Sequence, residues 1–319
     1  MSKVVKKAIV RKATSISGAV KTKKIPTKKY SRFRPLILSR HPSHNILRAR
    51  NKTLPLFTFP SVVRFGSSTE VEDTVAKGGR RVEINTVASI KISANKSLMK
   101  DKFVEAGVKT APFFKVNSNN IEEFINQAKE LTEDFKSKLV CKAHHGSKGQ
   151  GNTLVSNEEE LRNWAEGKRL ASFIYEKFMN YALEFRLHIT EEGYFYTCRK
   201  ALRKDCPEDQ KWRHHDDTCV WLLETNEDFK KPNSFDDIVS DCVKALKAIG
   251  ADILSFDVKV QGPTDGKGRP REYQDFILLE SNSASSMGDY IEGQPSICAQ
   301  KYIEILPQVI NNKYSKNAR

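Results

Sequence analysis

The sequence predicts an α/β chain whose working part is built from α+β lobes, and three observations carry that prediction. Short apolar runs such as Leu36-Ile37-Leu38 and Ser61-Val62-Val63-Arg64-Phe65, the second closed by Gly66-Ser67-Ser68, have strand length and β-branched content. Other segments carry apolar residues at helical spacing, most clearly 121–135 and 238–249. A glycine-punctuated stretch comes directly after the strand-like Leu139-Val140-Cys141.

Size and composition bound the answer. A chain of 319 residues suggests about two domains. Its 39% hydrophobic and 29% charged content is that of a soluble globular protein with a sizeable core. No apolar run approaches the ~20 residues of a membrane helix, and the first twenty residues lack the apolar stretch of a secretory signal. The expectation is therefore a cytoplasmic protein with no membrane partner. Six scattered cysteines never form C-x-x-C, which argues against a zinc site and a disulfide-dense scaffold and for reduced thiols.

The net charge of +15 has to be localised before it means anything. Residues 1–34 carry twelve Lys or Arg and no acid, leaving 42 basic against 39 acidic residues, or +3, for the rest. Basicity thus belongs mostly to a tail, and the folded part is nearly balanced. That tail reads as a solvated arm; contact with a polyanion such as nucleic acid, with an acidic protein surface, or use as an organelle presequence remain alternatives.

Taken in order, 36–38 and 61–65 are expected strands around a helix opening in 39–50. Helices are expected at 95–106, stopped by Gly107, and at 121–135, 157–166, 238–249 and 296–311. Strands are expected at 139–141, 172–178, 251–260 and 273–279, with a hairpin over 182–202 that turns at Glu191-Glu192-Gly193.

Four groups of residues point to chemistry. Lys142 ends a strand, and Gly146, Ser147, Gly149 and Gly151 come after it; glycines let backbone N–H groups close on phosphate oxygens while lysine adds a point charge. The same segment also suits an ordinary hairpin loop, and it is not a Walker loop. In 183–189 the apolar residues alternate, so Glu184, Arg186 and His188 share the other face. Such a face is often merely solvated, but its carboxylate suits ribose hydroxyls and its guanidinium a phosphoryl group. Asp257, Glu280 and Asn282 lie on two strands with apolar lead-ins and offer hard oxygen ligands for Mg²⁺, unless they are surface acids near strand ends. A basic cluster, Arg199, Lys200, Arg203, Lys204, Lys211, Arg213, His214 and His215, suits an anionic co-substrate or a solvated hairpin.

In this order the motifs resemble the ATP-grasp superfamily over roughly residues 60–290, in particular its amide-forming ligases. The resemblance implies a nucleotide held between two α+β lobes: a basic tail at 1–34, an N-terminal α/β unit at 35–94, a central lobe at 95–178 and a C-terminal lobe at 179–319. It implies that Lys96, which opens a pattern continued by Ala106-Gly107-Val108 and Pro112, is the first phosphate-binding lysine and Lys142 the second. Gly146, Gly149 and Gly151 resemble the glycine loop, and Glu176 with Lys177 and Phe178 the adenine hinge. Glu184 matches the ribose acid, Arg186 and Arg199 the arginines near the transferred phosphoryl group, and Asp257, Glu280 and Asn282 the Mg²⁺ set. Ser283-Ala284-Ser285-Ser286-Met287-Gly288 departs from the Pro-Gly turn of many relatives, and Ala143 from their Pro. Arg64-Phe65-Gly66-Ser67-Ser68 followed by Ile84-Asn85 resembles phage-encoded members, which would place the protein in a host cytoplasm or a virion.

The resemblance further implies an ATP- and Mg²⁺-dependent ligase that activates a carboxylate as an acyl phosphate and passes it to an amine. His188 and His215 are candidates for the base by pKa class alone. A kinase on the same scaffold and a nucleic-acid or virion-associated binding protein are the competing expectations.

Overall fold

A computed structural model describes residues 32–42, 44–50, 54–71, 81–146, 151–212, 218–285 and 296–317. The chain divides into units 1–31 and 32–319. The first, with most of the basic tail, lies outside the described residues, as do Ser147, Gly149, Arg213, His214, His215, Met287 and Gly288. Three sheets make up the second unit.

Strands β1 (Leu36–Ser39), β2 (Ser61–Phe65) and β3 (Val82–Ile84) pair in parallel in that order. The apolar residues of this sheet pack on helix α1 (Asn45–Ala49) and on the last helix, α7 (Ile297–Asn317), through Ile46, Cys298, Tyr302, Leu306 and Ile310. The C-terminal helix therefore completes the core of the N-terminal sheet. It also runs past 311, with Pro307 inside it.

The expected helix over 95–106 is α3 (Lys96–Glu105), and a further helix, α2 (Val87–Ala94), which the sequence reading does not expect, runs directly into it. Thr86 caps α2 by accepting from the Ser89 amide, and Asn95 caps α3 by accepting from Ser97 and Leu98. The β-branched run in α2 hides it from propensity; burial of Ser89, Ile90 and Ser93 holds it.

Strands β4 (Phe113–Phe114), β5 (Leu139–Ala143), β6 (Asn152–Val155) and β7 (Phe173–Lys177) form an antiparallel sheet in the order β4-β7-β5-β6. Its outer face, with Leu139, Cys141, Val155 and Tyr175, packs on α4 (Ile121–Thr132) and α5 (Glu158–Ala165). Helix α4 stops three residues earlier than expected, because Glu133, Asp134 and Phe135 all take positive φ.

The third sheet is antiparallel, ordered β10-β9-β8-β11-β12 from strands β8 (Leu183–Thr190), β9 (Gly193–Leu202), β10 (Cys219–Leu223), β11 (Ile253–Val260) and β12 (Phe276–Asn282). Phe185, Leu187, Leu254, Phe256 and Val258 pack against α6 (Phe235–Ile249) and against Met99 and Phe103 of α3. Helix α3 thus belongs to this core and not to the central lobe alone. The edge strands β6 and β10 escape sequence detection because neither shows a clean two-residue alternation of burial.

Two features lock the N-terminal sheet to the third one. Asn85, at φ +57, donates to the carbonyls of Arg64 and Ile253 and accepts from the amides of Asp252 and Ile253. Gly66, at φ +73, lies so close to Ala284 that an added Cβ would collide with the Cβ of that residue. All six cysteines are buried free thiols, and among the described residues no helix is long and apolar enough to cross a membrane.

Candidate active site

The face of the third sheet turned away from α6 carries Glu184, Arg186 and His188, as alternation requires. It is not a solvated face: these residues are 4%, 7% and 0% exposed. Register sets Arg186 opposite Asp257, Asp257 opposite Glu280, and Glu184 between Lys200 and Lys259.

The Arg186 guanidinium forks onto Asp257, with Nε donating to Oδ1 at 2.6 Å and Nη2 to Oδ2 at 2.7 Å. Lys200 Nζ donates to Glu184 Oε1 at 2.6 Å and to Asp257 Oδ2 at 3.1 Å. Lys259 Nζ approaches Glu184 Oε2 at 3.5 Å. The half-buried Trp221 ring lies 4.9 Å from the Arg186 guanidinium and 5.3 Å from the Lys200 ammonium. Burial works against the charge on Asp257, but Arg186 and Lys200 outweigh it and hold the carboxyl well below its usual range. Lys200 is held above its ordinary value in turn: burial opposes this, and Asp257 and Glu184 overcome it.

A second ion cluster lies on the central sheet. Lys142 Nζ donates to Glu176 Oε2 at 2.7 Å. From α3, the fully buried Lys100 comes within 3.6 Å of Glu176 Oε1 and donates to Thr110 Oγ1 at 2.5 Å and to the Leu278 carbonyl at 3.4 Å. Lys100 therefore joins the central sheet to β12, two residues before Glu280. Burial pulls its pKa down to about 8 against the attraction of Glu176. For Glu176 burial pushes upward, but Lys100 and Lys142 together hold the carboxyl below its ordinary value.

Lys96, one helical turn before Lys100, donates from its Nζ to the Gly146 carbonyl at 3.0 Å and from its amide to the His144 carbonyl at 2.9 Å. Gly151, which leads back into the sheet, has φ +76. The backbone amides of Lys177 and Phe178 are already spent on the carbonyls of Pro112 and Lys138. An adenine at the hinge would have to use other backbone groups.

The structure thus brings together Lys96, Lys142 and Gly146, and separately Glu184, Arg186 and Asp257 with Glu280 and Asn282 in register. It does not bring Arg199 to them. Arg199 pairs in register with Phe185 and Leu222, so the two-residue period of β9 turns it to the α6 side and gives the inward position to Lys200. His188 is no base for an incoming amine: its Nδ1 bonds Tyr302 Oη at 2.9 Å, and burial, followed by Arg186, lowers its pKa to about 3. His215 lies outside the described residues. Sequence reasoning misses Lys100 and Trp221, and takes Lys200 only as one of a basic cluster. Lys100 is the second lysine of Lys96-Ser-Leu-Met-Lys100, one helical turn on, and that spacing was the available signal.

Mg²⁺ is tested by the donors themselves. Among the described residues no cluster of three or more His, Cys, Asp or Glu could hold a metal. The Glu280 side chain lies opposite Asp257 and within electrostatic reach of Lys100 and Arg186, and the buried Nδ2 of Asn282 has no hydrogen-bond partner among the described residues. The half-buried Glu280 carboxylate opposite Asp257 and the Oδ1 of Asn282, two residues on along β12, are oxygen donors of the kind a hard cation takes, whereas the Asn282 Nδ2 is a donor that would serve an acceptor instead.

No protein-family model matches the sequence, and no curated protein sequence matches it. Solved structures do share its fold. D-Alanine–D-alanine ligase from Bacillus anthracis aligns with TM-score 0.57 and 14% identity over 89% of this chain and 98% of that one. Carboxyaminoimidazole ribonucleotide synthase from Aspergillus clavatus, solved with ATP, aligns with TM-score 0.53 and 14% identity over 78% of this chain. This chain spans 62% of that enzyme's length. The ATP-grasp ligase PsnB, solved with a minimal precursor, aligns with TM-score 0.51 and 11% identity over 80% of each chain. At such identities the likeness establishes the fold, which is the ATP-grasp fold expected from the order of the motifs.

Proposed function

We propose that this ATP-grasp chain is an ATP-dependent carboxylate–amine ligase that forms an amide or peptide bond through an acyl phosphate. The observation that carries the reading is one continuous run of buried and half-buried charged side chains across two sheets. Lys142, Glu176 and Lys100 lead from the central sheet to β12, and Glu280, Asp257, Arg186 and Lys200 continue from there.

Each side chain then has a task. Lys142 and Lys100 neutralise inner phosphates, and Lys96 holds Gly146, where the glycine-rich segment begins. Glu176 keeps the two inner lysines charged and in position. Residues 176–178 line the adenine end, and Glu184 accepts from the ribose while holding Lys200. Arg186, with Lys200 in place of Arg199, bears on the group being transferred, where positioning and charge neutralisation supply most of the acceleration. Asp257, Glu280 and Asn282 would hold Mg²⁺, which supplies Lewis-acid charge on the phosphates when bound. Carboxylate and amine would be an amino acid, a peptide or a protein side chain.

The test is an ADP-release screen of amino acids and acidic peptides with Mg²⁺, followed by mass spectrometry of the products. A ligase releases ADP and phosphate and yields a condensed product. A product that retains the phosphoryl group would replace this reading with a kinase.

A further inference from the structure

Both oxygens of Asp257 are taken, one by Arg186 Nε and the other by Arg186 Nη2 and Lys200 Nζ. Across the strand pair, the half-buried Glu280 carboxylate lies opposite Asp257 in register. A divalent cation arriving alone would meet two fixed positive groups within contact distance of its third ligand, and at short range in a poorly solvated site that repulsion is large. A polyphosphate arriving alone would meet Asp257 and Glu280 instead. When both arrive, the two cations move to phosphate and the carboxylate to metal, so every charge keeps a partner.

We propose that Lys200 is a positioning residue that keeps the metal site shut until nucleotide arrives, so that metal and nucleotide bind cooperatively through exchange of the Lys200–Asp257 ion pair. This rests on the nucleotide reading above. Lys200 suits the exchange because its ammonium is shared unequally. It lies 2.6 Å from Glu184 and 3.1 Å from Asp257, so a small swing of its flexible stem takes one of the two cations off Asp257, leaving only the Arg186 fork there, without stripping the lysine of its tighter partner. Lys259 backs Glu184 from the other side at 3.5 Å and keeps that carboxylate paired during the swing. Trp221, over both cations, reports the movement.

The experiment uses the full chain and three readouts. Mn²⁺ titrated without nucleotide should bind about ten- to a hundredfold more tightly to K200Q than to wild type, the usual span of coupling between sites. K200R should restore the wild-type affinity, and the double variant K200Q/E280Q should lose the gain. By calorimetry, Mg²⁺ should strengthen ADP binding at least tenfold in wild type and by less in K200Q. Trp221 emission should stay unchanged with Mg²⁺ alone and shift with ADP plus Mg²⁺; this measurement does not depend on K200Q and stands if that variant does not fold. Wild-type protein that binds Mn²⁺ as tightly as K200Q, or emission that shifts with Mg²⁺ alone, overturns the proposal while ADP binding stands. Failure of ADP to bind at all overturns the nucleotide reading and the proposal with it.

Discussion

Asp257 and Arg186 form a two-pronged ion pair across neighbouring antiparallel strands, with both side chains more than nine-tenths buried. Removing Arg186 leaves Asp257 with Lys200 alone at 3.1 Å in a poorly solvated place, a loss at or below the ~3–5 kcal/mol typical of breaking a buried pair. Arg186→Met should therefore lower stability by that order in urea unfolding. An undiminished midpoint would show that the pair is solvent-relaxed.

Glu280 provides the contrast. It sits opposite Asp257 in register with its side chain only half-buried, so Glu280→Gln should leave the melting temperature nearly unchanged. Under the proposed function it should lower ATP turnover about a hundred- to thousandfold, the usual effect of losing one charge-stabilising group. Purified Glu280→Gln turning over ATP at the wild-type rate would remove Glu280 from the metal set.

Lys100 predicts a pH dependence. Its pKa in the folded chain is about 8, with Glu176, Lys142 and Glu280 as the charged groups around it. The ammonium is present below that value and lost above it, so ADP affinity should fall as pH rises from about 7 to 9. The unfolded state binds the extra proton between about 8 and the ordinary lysine value, so stability should rise with pH over that window. Lys100→Met should bind ADP weakly and show no such fall; a wild-type affinity flat across this range would place Lys100 away from the phosphates.

His188 predicts acid sensitivity. With a folded pKa near 3 against 6.5 unfolded, only the unfolded state takes up this proton between those values. Stability is complete above pH 6.5 and falls as pH drops, by about 2 kcal/mol at pH 5 from this one group. His188→Gln, which can still bond Tyr302 but does not titrate, should show a smaller loss between pH 7.5 and 5 in thermal melts.

Asn85 joins two sheets with four hydrogen bonds to buried or half-buried backbone and holds φ +57. Asn85→Ala strands those groups and puts a less tolerant residue in the left-handed region, at a cost of about 2–4 kcal/mol. Chemical denaturation measures it, and a loss under about 1 kcal/mol would mean that water replaces the side chain.

Periodicity and turn chemistry by themselves determined the α/β class, most helices and strands, and the shared face of Glu184, Arg186 and His188, because these are local properties of the backbone. The order of Lys142, the glycines, Glu184, Asp257 and Glu280-x-Asn282 was enough to reach the ATP-grasp fold. Only the tertiary structure decided that this polar face is buried, that α7 completes the N-terminal sheet, and that Lys100 bridges two sheets. It also decided that Lys200, and not Arg199, meets Asp257. Strand alternation says which residues share a face but not which face turns inward, and an ion pair between residues 57 positions apart, such as Lys200 and Asp257, exists only once register and packing have brought two strands together.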